Sequence, residues 1–257
     1  QGPRVSDGIG DIANIGALGA GLADSCALCH GLPRGSAGFG GDVVTRPDGR
    51  NAPHLFGLGL QEQLADEITW DLRNIQGEAI TTAQSSGSPV QKKLISKGIS
   101  YGVIIGLPDG SVDTSQVEGV DPDLRVRPFF AQGGTISIRE FIVGALKAEM
   151  GLETADPCLQ TASAGGICTT PAGLVLDGSW DSIEAPPITA GNTDGDLDGV
   201  TEEIDPAVVD YLEFYLLNYF KPGFGERTRG NRTGLKTMRK IGCLECHTEN
   251  LTVESDR

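Results

Sequence analysis

Apolar and aromatic side chains at positions 60, 64, 68, 72 and 75 recur at helical spacing and predict a helix over Leu60–Ile75 with one buried face. A second helix is predicted from Ser137 to about Met150, with apolar residues at 138, 141, 142, 145 and 146 and Gly151 as its C-terminal stop. Pro206–Phe220 reads as a third, opened by proline and carrying Val208, Leu212, Tyr215, Leu216 and Tyr219 on its apolar face. The basic segment Arg227–Lys240 reads as a fourth. Between these, Gly98–Val120 alternates short apolar pieces with turn signals such as Pro108-Asp109-Gly110, the pattern of a hairpin or of an excursion from a helical core. Gly31–Gly49 and residues 152–190 are too rich in Gly, Pro, Ser and Thr for regular elements. The expected fold class is mainly α, with much loop and little strand.

Composition presses the same way. The chain of 257 residues holds 37 glycines and only 5% aromatic residues, so less of it than usual should be regular structure. Its formal charge of −15 argues against nucleic acid or an anionic membrane as a partner and favours basic proteins or cations. No apolar run approaches the roughly 20 residues that span a bilayer, so no transmembrane segment is expected. Gln1 lacks a preceding Met and no apolar leader follows it, which reads as the processed terminus of an exported protein, periplasmic or extracellular.

The cysteines bring in chemistry. Four of six fall in two copies of Cys-x-x-Cys-His, Cys26-Ala27-Leu28-Cys29-His30 and Cys243-Leu244-Glu245-Cys246-His247, and these motifs use two of only three histidines. That spacing is the c-type haem attachment signature: two thiols add across the porphyrin vinyl groups, and the adjacent imidazole meets the iron from the proximal side. Cys26, Cys29, Cys243 and Cys246 are therefore the expected cofactor-binding residues, with His30 and His247 as iron ligands. A zinc ribbon would need its two knuckles near each other and no histidine after each. Thioredoxin-like chemistry would need a βαβ context. Two local disulfides would leave the histidines unexplained. A haem also supplies a large apolar face around which a loop-rich chain can organise.

Cys158 and Cys168 stand apart from these motifs. In an oxidising compartment they are expected to pair as a structural disulfide, a redox-active pair being the alternative. The stretch from Asp194 to Asp205 places Asp194, Asp196, Asp198, Glu202 and Asp205 at positions 1, 3, 5, 9 and 12, with Gly199 at position 6 and the Val200 carbonyl at 7. This is the order of an EF-hand-type calcium loop, with Asp in place of Glu at the last position. A calcium ion is the expectation, against a solvated acidic turn.

With both haem motifs, the acidic loop and the segment Arg50-Asn51-Ala52-Pro53-His54-Leu55-Phe56-Gly57-Leu58-Gly59-Leu60, the chain resembles the di-haem oxidoreductases. These are relatives of bacterial di-haem cytochrome c peroxidases and MauG-like enzymes. The resemblance implies two cytochrome c-like haem domains, electron transfer between haems, and at one of them the option of peroxide reduction. The corresponding division is a first haem domain over 1–190 and a second over 191–257. Members of that family continue well past the second motif, whereas ten residues follow His247 here. A further chain or further sequence is therefore expected to cover the second haem.

Distal ligands separate a carrier from an enzyme, because an iron with both axial positions filled cannot bind substrate. Met150 is the preferred candidate for the first haem and matches a methionine typical of the family, the alternative being a core methionine. His54, the only remaining histidine, is the second candidate, against a role as a hydrogen-bonded imidazole beside a propionate. Met238 is expected to pack on its own helix. The reading is a di-haem electron carrier that serves a redox partner, another cytochrome or a basic electron carrier. Its alternatives are a di-haem peroxidase and a haem-chain subunit of a larger assembly.

Overall fold

The computed structural model describes Cys26, His30, Met150, Leu152 and residues 52–130, 133–146, 154–183, 203–219 and 228–254. Two compact units emerge, one formed by Gln1–Gly59 with Arg127–Phe220 and the other by Leu60–Val126 with Lys221–Arg257. Each is assembled from two separate stretches, whereas the sequence reading places one boundary after residue 190.

In the second unit, helix α1 (Leu58–Ser86) runs well past the Ile75 end that apolar spacing predicts. Its later turns bury small residues, Ala79 and Ala83, in place of large ones. On its exposed side the hydroxyls of Thr81, Thr82 and Ser85 donate to carbonyls one turn back, which satisfies them within the helix. Strands β1 (Val90–Ser96), β2 (Ile99–Gly106) and β3 (Val112–Asp113) form an antiparallel sheet in that order. Lys97 and Gly98 join β1 to β2 with φ of 49° and 78°, the two left-handed residues of a tight hairpin turn whose twist matches that of the strands. Pro108-Asp109-Gly110 turns the chain from β2 into β3, so Gly98–Val120 is a hairpin rather than an excursion. Leu72, Leu94, Ile104 and Leu124 are fully buried where helix and sheet meet.

Small residues set the spacing of that contact. A Cβ built on Gly106 would lie 2.4 Å from the Ala79 carbonyl carbon and 2.6 Å from the Ile80 nitrogen, closer than real Cβ atoms come. Only glycine permits β2 to approach the α1 backbone this closely.

In the first unit, helix α2 (Ile138–Ala145) starts on a capping box: the Ser137 hydroxyl accepts the Glu140 N–H while the Glu140 carboxylate accepts the Ser137 N–H. Helix α3 (Pro157–Ser163) is capped by Asp156. Strands β4 (Ile167–Thr169) and β5 (Val175–Asp177) pair antiparallel, and helix α4 (Pro206–Asn218) follows, capped by Asp205. Ile136, Ile138, Leu159 and Val209 form the fully buried heart of this unit.

These sheets correct the expected fold class. The described residues are a mixture of helices and two small antiparallel sheets, not a mainly α protein with little strand. β1 escapes a periodicity reading because Gln91, Lys92 and Lys93 fill its first half, leaving only Leu94 and Ser96 buried. Such lysines suit an outer strand, where they discourage pairing with another sheet.

Cys158 and Cys168 are joined as a disulfide, tying α3 to β4. The link closes a short loop, so replacing both cysteines by serine is expected to lower unfolding free energy by about 2 kcal/mol in the oxidised protein. Equal denaturant midpoints for the two proteins would count against any contribution from the bridge.

Candidate functional site

Both Cys-x-x-Cys-His motifs close the same backbone turn. The His30 N–H donates to the Cys26 carbonyl at 2.9 Å, and the His247 N–H donates to the Cys243 carbonyl at 3.0 Å. These bonds bring the backbone of the first cysteine and of the histidine together in each motif. Cys29 lies outside the described residues. Cys26, Cys243 and Cys246 are free thiols, so the second motif is not a local disulfide.

The first motif has its imidazole held. His30 Nδ1 lies 2.7 Å from the Pro53 carbonyl oxygen, an acceptor only, so Nδ1 carries the proton. In the neutral ring, Nε2 then keeps its lone pair, the state a metal ligand needs. Phe141 from α2 meets this ring edge-on at 6.3 Å and is itself flanked by Phe129 and Phe130 at 6.4 and 5.0 Å. These rings form an apolar wall beside the imidazole.

The distal candidates have different surroundings. Met150 is half-buried against the apolar cluster of the first unit. His54 is exposed; its Nδ1 accepts the Phe56 N–H at 3.2 Å, and its ring stacks on Phe56. That bond favours the neutral tautomer with the proton on Nε2, leaving no free nitrogen lone pair.

The second motif follows helix α5 (Arg229–Lys240) and a left-handed Gly242, with a short 3-10 turn over Cys243–Glu245. His247 is exposed there, and Met238 and Ile241 on the approach are exposed as well. Downstream, Lys97 Nζ lies 2.7 Å from Glu67 and 3.0 Å from Glu254, while the Glu254 N–H donates to Glu67 at 2.9 Å. The segment after the motif is thereby anchored to α1 and to the β1–β2 turn.

The cofactor expectation is corrected in its ligand sets. Among the described residues no three His, Cys, Asp or Glu side chains gather where they could hold a metal ion, so the set of two haem c groups and a calcium ion has no assembled protein cage there. Asp205, expected to close the calcium loop, uses Oδ1 to accept the Ala207 N–H at 2.8 Å as the cap of α4. Asp194, Asp196, Asp198, Val200 and Glu202 lie outside the described residues.

One cluster escapes motif reading altogether. Arg139 on α2 has a side chain only 3% exposed and reaches three carboxylates: Asp156 at 2.8 Å, Asp210 at 2.8 Å and Glu213 at 2.9 Å. Burial works against the Arg139 charge, yet Asp156, Glu213 and Asp210 together hold its pKa above the ordinary value. Burial pushes the Glu213 carboxyl up, against the opposing pull of Arg139 and Thr170. The pairing also turns α4. Val209, Glu213 and Leu216 face inward, while Val208 and Tyr215, expected on the buried face, are exposed. The available signal was a lone glutamate inside an apolar helical run, matched by a lone arginine inside another.

Among the described residues no helix is long and apolar enough to cross a membrane. Comparison of the chain with protein-family models, curated proteins and solved structures finds no match.

Proposed function

We propose that this chain is a di-haem c-type cytochrome that passes electrons to a redox partner protein outside the cytoplasm. The observation that carries the reading is the hydrogen bond from His30 Nδ1 to the Pro53 carbonyl inside a Cys-x-x-Cys-His turn. Such a bond fixes the tautomer and the ring orientation that a proximal ligand requires. A c-type site also needs no cage of three protein ligands, because thioether bonds and one imidazole do the holding. A haem at each motif would supply reversible one-electron chemistry, and the thiols of Cys26 and Cys29, and of Cys243 and Cys246, would hold it to the chain. Hydrogen bonding to Pro53 orients the His30 ring, and Phe141 with its neighbours forms an apolar wall beside it. The Cys158–Cys168 bridge supports an oxidising compartment.

The test is an intact mass on protein matured in a bacterial periplasm with cytochrome c maturation. The expected mass exceeds that of the polypeptide by two haem groups, and acid-acetone leaves the colour with the protein. Cys26→Ala with Cys29→Ala should remove one of the two. An unmodified mass after such maturation would falsify the reading.

A further inference from the structure

We propose that the exposed aromatic face of α4 is the docking surface for a small basic redox protein, joined to the His30 site by a stack of aromatic rings. This inference rests on the electron-carrier reading and adds the place where the partner binds.

Val208, Tyr211 and Tyr215 share one face of α4, and Phe214 stands beside them. All four are exposed, Tyr211 by 76%. The buried Arg139–Glu213 pair fixes the rotation of the helix that presents them. A contiguous aromatic face on a water-soluble surface marks an interaction site, and tyrosine is among the residue types that dominate binding energy.

Charge selects the occupant. From Glu203 to Tyr219 the chain carries no Lys or Arg; Glu203 and Asp205 stand at the start of α4, while Asp210 and Glu213 pair with Arg139, all within a molecule of net charge −15. A basic partner is steered to such a face and an acidic one repelled.

Geometry links the face to the candidate site. Tyr215 lies 4.7 Å from Tyr219, Tyr219 stacks on Phe56 at 5.1 Å, and Phe56 stacks on His54 at 5.7 Å. His54 adjoins Pro53, whose carbonyl holds His30. The Gly57 N–H donates to the Tyr219 carbonyl at 3.1 Å, and Gly59 meets the Leu217 carbonyl with no room for a Cβ. The segment that holds His30 is therefore clasped to the C-terminal end of α4. A haem held at His30 would supply the electron and the partner's oxidised centre would accept it; the rings, continued by the His54–Pro53 peptide and the Pro53–His30 hydrogen bond, would supply the route without themselves being oxidised.

The experiment titrates the mature protein with a small basic cytochrome c at low and at physiological salt, reading the dissociation constant by calorimetry. Tyr211→Lys, a change at a surface position that leaves packing intact, should weaken binding at least tenfold, and salt should weaken the wild-type complex. Tyr219→Leu should leave the dissociation constant unchanged and slow electron transfer within the complex. Absence of wild-type binding, equal binding by Tyr211→Lys, equal affinity for an acidic redox protein, or self-association through this face in sedimentation would each overturn the proposal. An optical spectrum of the same sample without c-type bands would overturn the carrier reading instead.

Discussion

Replacing Arg139 by Met should cost about 3–5 kcal/mol of unfolding free energy, the range for removing one partner from a buried ionic cluster. The loss comes less from missing attraction than from what stays behind. Asp156 and Glu213 are both 0% exposed, and without the guanidinium they would hold negative charge in a place water does not reach. Urea titration of the two proteins measures the difference. A change below about 1 kcal/mol would mean that the carboxylates find other compensation.

The pH dependence gives a second signature. Burial raises the Glu213 carboxyl in the folded state, so the folded protein holds that proton more tightly than the unfolded chain. Its contribution to stability is complete below the unfolded carboxyl value, about 4.3, and is lost as pH rises through the higher folded value. Removal of Arg139 takes away a group that pulls Glu213 downward, so the deficit of Arg139→Met should shrink on acidification and grow toward neutral pH. Glu213→Gln should flatten stability across the same window. A deficit independent of pH would argue that Arg139 acts by packing alone.

Gly106→Val should destabilise by about 3 kcal/mol, the upper end for overpacking, because the new Cβ would meet backbone atoms of α1 instead of a yielding side chain. Helix and sheet would have to separate, loosening the contact around Leu72 and Ile104. Gly77 provides the control. It lies in the same helix with nothing within 4 Å of a built Cβ, so Gly77→Ala should raise stability by up to about 1 kcal/mol. Opposite signs at two glycines, read from denaturant midpoints, would separate close approach from helix propensity. If both substitutions destabilise alike, the Ala79–Gly106 contact is looser than the structure has it.

Legibility in the sequence followed the kind of signal. Helices with large apolar residues at regular spacing could be read directly, as over Leu60–Ile75 and Pro206–Phe220. The continuation of α1 to Ser86 could not, because Ala79 and Ala83 bury little area and look no different from surface alanines. β1 was hidden by its lysines, which answer to its outer position and not to strand propensity. At the candidate site, the motifs marked Cys26, His30, Cys243 and His247 by spacing alone. The carbonyl of Pro53 carries no side-chain signature, and Phe141 meets His30 only through folding, so neither could be found along the chain. Apolar counting also placed Tyr215 inward, because a periodic pattern cannot anticipate that a single buried charge pair will rotate the helix.

The interleaving of the two units sets an order of assembly. The bond between His30 and Pro53 closes a loop of only 23 residues, and the β1–β2 hairpin is tighter still. Arg139 must find Glu213 across 74 residues, and Gly57 reaches Tyr219 from the far side of the whole 60–126 stretch. Closing a loop loses more entropy the longer it is, so local closures precede distant ones. The chain therefore orients the His30 imidazole early in folding, while the helix that clasps this segment arrives late. During that interval Phe56 and Gly57 lack their Tyr219 partner, and docking of α4 afterwards fixes that segment in place.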